Sequence, residues 1–79
     1  MNTEELRTIG AMVAADLRAL KEPNRVPEEL RRRFIAVRTE LFQRGIFDPV
    51  LVRFDSATVP RASTQQIADQ LAAVVASLK

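Results

Sequence analysis

The sequence predicts an all-α fold: a small compact bundle of three longer helices plus one short helix, with no sheet. Three observations carry that prediction. Apolar residues recur at steps of three and four along three separate segments, each of those segments opens on a helix start signal, and the one β-prone run, Val50-Leu51-Val52, has no second run to pair with. The 79 residues are expected to form a single helical domain, 1–79, with helices at about 3–21, 27–44, 49–56 and 64–78.

The first helix starts from Asn2-x-x-Glu5, a variant of the capping box in which the Asn side chain accepts the Glu5 amide. Leu6, Ile9, Val13, Leu17 and Leu20 then fall on one stripe, and Gly10 beside them leaves room for a neighbouring backbone. Lys21-Glu22-Pro23-Asn24 is the stop signal, because Pro23 pushes the preceding residue out of helical conformation.

The second helix opens on Pro27-Glu28-Glu29, with Pro expected at the first helical position and two acids at the positive end of the macrodipole. Leu30, Phe34, Val37 and Leu41 form its core stripe. Glu28/Arg32, Glu29/Arg33 and Glu40/Arg44 are acid-before-base pairs at i,i+4. Gly45 is expected to close the helix as a left-handed cap, with Ile46 folding back on Leu41.

The third segment has strand propensity in Val50-Leu51-Val52, but Asp48-Pro49 reads as an N-cap and the first residue of a helical turn. Phe47, Val50, Leu51 and Phe54 fit i, i+3, i+4, i+7, so a short helix over 49–56 is preferred to an extended segment or a strand that pairs with a second chain. Ser56 to Ala62, containing Pro60, reads as an ordered linker. Ser63-x-x-Gln66 is a further capping box, and Ile67, Leu71, Val74 and Leu78 follow at helical spacing, with Ala68, Ala72 and Val75 widening the apolar face.

The residue inventory excludes most chemistry. The chain has no Cys, hence no disulfide, thiolate metal site or redox thiol, and no His, which removes the usual general base and the commonest metal ligand. Tyr and Trp are also absent. A non-enzymatic protein is therefore expected, with no cofactor, no metal and no small-molecule substrate. The acidic start, Glu4-Glu5, is unlike a signal peptide, and no apolar run reaches the length of a membrane span, so a soluble, cytoplasmic protein without a membrane partner is expected.

The basic pI of about 9.9 comes from a net charge of only +2. Residues 25–61 hold eight Arg against five acids, while both flanks are near neutral. Arg31-Arg32-Arg33 is the one cationic run, but successive helical residues point about 100° apart and so do not form one patch. Thr64 to Ala72 resembles the opening helix of helix-turn-helix proteins over nine residues, yet no turn and recognition helix follow. Asp16, at the edge of the first stripe, is expected to pair with an Arg of the second helix.

Ile35 and Phe42 stand seven apart on a line rotated by roughly 100° or more from the core stripe of the second helix, with Arg31 and Arg38 between the two lines. Either this helix is central and covered on both sides, or the second line is a partner surface of apolar and Arg residues. Arg31, Ile35, Arg38 and Phe42 are accordingly the candidate partner-binding residues. The expected function is a protein–protein interaction module, a small adaptor or regulatory subunit of a larger complex, a signalling complex being one case. Its partner would be another protein or a second copy of the chain as a homodimer. A basic nucleic-acid-associated helical protein is the alternative, and a self-assembling homo-oligomeric structural protein is third.

Overall fold

The computed structural model describes residues 1–20, 26–53 and 64–78. It contains four helices in the predicted order, α1 (Thr3–Arg18), α2 (Glu28–Gln43), α3 (Pro49–Arg53) and α4 (Thr64–Ala76), and no strand among the described residues. The radius of gyration is 11.4 Å, against about 11.6 Å for a compact chain of this length.

α1 begins as its sequence dictates. Asn2 has extended backbone angles, its Oδ1 accepts the Glu5 amide at 2.8 Å, and its Nδ2 donates to Glu5 Oε1 at 2.8 Å. The return bond thus goes from the Asn side chain rather than from its backbone. Leu6, Val13 and Leu17 are buried, with Ile9 and Leu20 packed against them. The helix ends at Arg18, short of the expected residue 21, because its last turn tightens: the Leu20 amide bonds the Leu17 carbonyl three residues back, at 3.4 Å. The Lys21–Asn24 stop signal lies outside the described residues.

α2 starts one residue later than predicted. Pro27 has ψ of 144°, which makes it the flanking residue, and its carbonyl accepts the Arg31 amide at 3.0 Å. Leu30, Phe34, Val37 and Leu41 are all buried. Gly45 has φ of +80°, its amide bonds the Phe42 carbonyl at 3.0 Å, and the Ile46 amide bonds that of Leu41 at 2.9 Å. Those two bonds make a complete Schellman cap, and Ile46 packs against the core as expected.

At α3 the helix prevails over strand propensity through Asp48, whose Oδ1 accepts the amides of Val50 at 2.9 Å and Leu51 at 3.3 Å. Its Oδ2 accepts the side-chain amide of Gln70, which fixes α3 on α4. The expected residues 54–56 of this helix, Phe54 among them, the linker that follows and the Ser63 cap fall outside the described residues. In α4, Ile67, Ala68, Leu71 and Val75 are buried. The helix stops at Ala76, two residues before the expected 78, where the Leu78 amide turns to the Val75 carbonyl at 3.3 Å. The Leu78 carbonyl in turn accepts a bond from the Arg7 guanidinium of α1, a cation placed at the negative end of α4.

α1 packs most extensively on α4 and next on α2, and α3 rests on α4. α1 thus meets both α2 and α4, α4 meets both α1 and α3, and α2 also reaches α3 through Arg38 and the Leu51 carbonyl. Gly10 does permit a close approach, but of a side chain: a Cβ built on it would lie 2.5 Å from Val75 Cγ1. Of the three predicted i,i+4 pairs, Glu28–Arg32 forms at 3.0 Å. Arg33 reaches across to Asp16 at 2.8 Å, and Arg44 donates to Thr3 Oγ1 at 2.8 Å and to the Met1 carbonyl at 2.9 Å. An intrahelical pair is worth only a few tenths of a kcal/mol, so an interhelical partner in reach displaces it. The Asp16 pair is a surface link rather than a buried one, with the two side chains about half and a third exposed.

Candidate protein-interaction surface

The flank of α2 turned away from α1 carries the four predicted residues. Arg31, Ile35, Arg38 and Phe42 are all half-buried. They share a flank because positions 31, 35, 38 and 42 advance by four, three and four residues, the spacing of a helical stripe. What lies beside this flank is the segment running from Ile46 into α3. Arg38 Nη1 donates to the Leu51 carbonyl at 3.2 Å, and its guanidinium carbon stands 6.0 Å from the centre of the Phe34 ring and 5.7 Å from that of Phe42. Both distances are within cation–π range.

Ile35 and Phe42 separate in their surroundings. Ile35 packs against the buried core. Phe42 lies against Phe47, with ring centres 5.1 Å apart and planes tilted by 31°, inside the range where aromatic pairs attract. Phe47 itself is 66% exposed and Val52 is 49% exposed. The 47–52 segment thus exposes two apolar side chains, of which Phe47 lies against Phe42.

Phe47 is the residue that sequence periodicity misplaced. Counting 47, 50, 51 and 54 as one helical line assumed that the helix already existed at Phe47. Gly45 has just ended α2 and Asp48 caps α3, so Phe47 falls between helices and escapes the periodicity that buries Leu51. The cap itself was the available signal: with Asp48 as N-cap, Phe47 and Val52 take the N′ and N4 positions of a hydrophobic staple.

The cationic run does not converge. Arg32 is tied to Glu28, Arg33 to Asp16, and Arg31 lies on the Ile35–Phe42 flank. In α4 the stretch that resembles a helix-turn-helix opening continues unbroken to Ala76, with Ile67, Ala68 and Leu71 in the core. An open depression of about 230 Å³ over the first turns of α1 is lined by Asn2, Glu4, Glu5, Thr8 and Ile9, and Glu5 there is already engaged with Asn2. Among the described residues no three carboxylates are grouped to hold a metal, and no helix is long and apolar enough to cross a membrane. Comparison with known proteins finds no matching family model, no matching curated protein and no matching solved structure.

Proposed function

We propose that the chain is a non-enzymatic protein-interaction module, an adaptor or regulatory subunit that works in the cytoplasm and meets its partner through the surface built on Phe42, Phe47 and Val52. The observation that carries this reading is the Phe42–Phe47 pair: an aromatic ring two-thirds exposed, held in place by a second ring. Aromatic residues are enriched in interface cores, where a rigid ring buries much area at little entropic cost. The nucleic-acid alternative draws no comparable support, since Arg32 and Arg33 are matched by carboxylates.

The reading is tested by comparing the wild-type chain with Phe47→Ser in two measurements. Sedimentation of the pure protein reports self-association, and affinity capture from cells reports other partners. Loss of an aromatic anchor typically costs about 2 kcal/mol or more, roughly thirtyfold in affinity. A partner or homodimer retained in full by Phe47→Ser refutes the assignment of this surface.

A further inference from the structure

The position of Arg38 gives it a role different from that of its neighbours. Its guanidinium has the fully buried Phe34 ring on one side and the Phe42 ring of the surface pair on the other, both near 6 Å, and it reaches the Leu51 carbonyl of α3. Leu51 belongs to α3, and its carbonyl accepts from the Arg38 guanidinium of α2. That bond ties α2 to α3 directly. α3 is held at its start by Asp48, which also accepts from Gln70, and at Leu51 both by the buried side chain and by the bond from Arg38 to its carbonyl.

We infer that Arg38 is a positioning residue: rather than touching a partner, it locks the Phe42 ring and α3 into the arrangement in which Phe47 and Val52 are displayed. The inference rests on the proposed interaction surface, whose members it fixes. Only a planar cation with a forked set of donors meets two rings and a carbonyl at once, which sets Arg apart from Lys here.

The experiment reads the free protein by NMR in Arg38→Met, which keeps the apolar stem, and in Arg38→Lys, which keeps the charge. Arg33→Gln, which removes only the Asp16 pair, serves as control. In Arg38→Met the ring resonances of Phe42 and Phe47 move towards random-coil values. Amide exchange at Val50, Leu51 and Val52 speeds up about tenfold, the loss expected for one charge-assisted bond. Arg38→Lys restores part of both effects, and Arg33→Gln changes neither. Unmoved rings and unchanged exchange in both Arg38 variants overturn the inference; if the Met variant does not fold, the Lys variant decides alone.

A binding arm separates this inference from the proposed function. Binding of whatever partner or self-association the wild type shows falls about threefold to tenfold in Arg38→Met, less than in Phe47→Ser. Binding abolished with the rings unmoved makes Arg38 a direct contact and refutes the positioning role. Altered rings and exchange alongside binding indifferent to Phe47→Ser uphold Arg38 as the lock of α3 and refute the interaction surface instead.

Discussion

Val75 of α4 fills the space that a side chain at Gly10 of α1 would need: a Cβ there would stand 2.5 Å from Val75 Cγ1 and 3.2 Å from its Cβ. The second distance matters as much as the first, since rotating the valine does not move its own Cβ away. Gly10 sits on the most extensive helix contact of the molecule and so sets how closely α1 and α4 approach.

Gly10→Ala is therefore expected to destabilise the fold even though Ala favours a helix by about 1 kcal/mol. Overpacking of about 1–3 kcal/mol outweighs that gain, and the melting temperature falls by several degrees. Val75→Ala in the same chain recovers stability relative to the additive expectation, with a coupling of about 0.5 kcal/mol or more. Additive losses in a denaturation double-mutant cycle would show that the two sites do not meet.

Gly45→Ala tests the cap of α2 by a different mechanism. Nothing lies within 4 Å of a Cβ at Gly45, so crowding plays no part, but its φ of +80° puts an L side chain against its own backbone. The expected loss is about 1–2 kcal/mol, and Gly45→Asn loses less because Asn tolerates this conformation. Equal stability of all three proteins in urea would place the cap elsewhere.

Ile35→Ser and Phe47→Ser should part company. Ile35 packs against the core, so a hydroxyl there costs about 1–3 kcal/mol and lowers the melting temperature. Phe47 is mostly exposed, and its replacement leaves stability within roughly 0.5 kcal/mol while removing binding. A thermal melt by circular dichroism in which Phe47→Ser unfolds the chain would make that ring part of the core.

Replacing Arg31, Arg32 and Arg33 together by Gln is expected to leave partner binding in place and to lower stability by little, since the ion pairs involved are solvent-exposed. Duplex or single-stranded DNA bound by the wild type at physiological salt, with affinity falling steeply as salt rises and lost in the triple variant, would favour the nucleic-acid alternative.

Most of the fold was legible because the helices announce themselves locally. Asn2, Gly45 and Asp48 act through bonds to residues within five positions, and the stripes centred on Val13, Phe34 and Leu71 follow a period that needs no tertiary information. Interhelical choices are not written locally. That Arg33 prefers Asp16 to Glu29, and Arg44 prefers Thr3 to Glu40, depends on which helix arrives alongside. The candidate surface was half legible for the same reason. The 31, 35, 38, 42 line is a property of one helix, whereas Phe47 joins it because the cap of α2 turns the chain back, and the bond from Arg38 to the Leu51 carbonyl depends on α3 arriving alongside.

The pairing of α1 with α4 also bears on how the chain folds. Arg18 meets Asp69 across 51 positions and Arg7 meets the Leu78 carbonyl across 71, so the widest contact in the molecule closes the longest loop. Loop closure costs more entropy the more chain it spans, and contacts distant in sequence slow folding. α1 and α2, nearer in sequence, are expected to pair first, with α4 docking afterwards where Val75 meets Gly10. Until it does, the side of α1 that meets α4 is uncovered, so aggregation during synthesis or refolding is expected to be greatest at that two-helix stage.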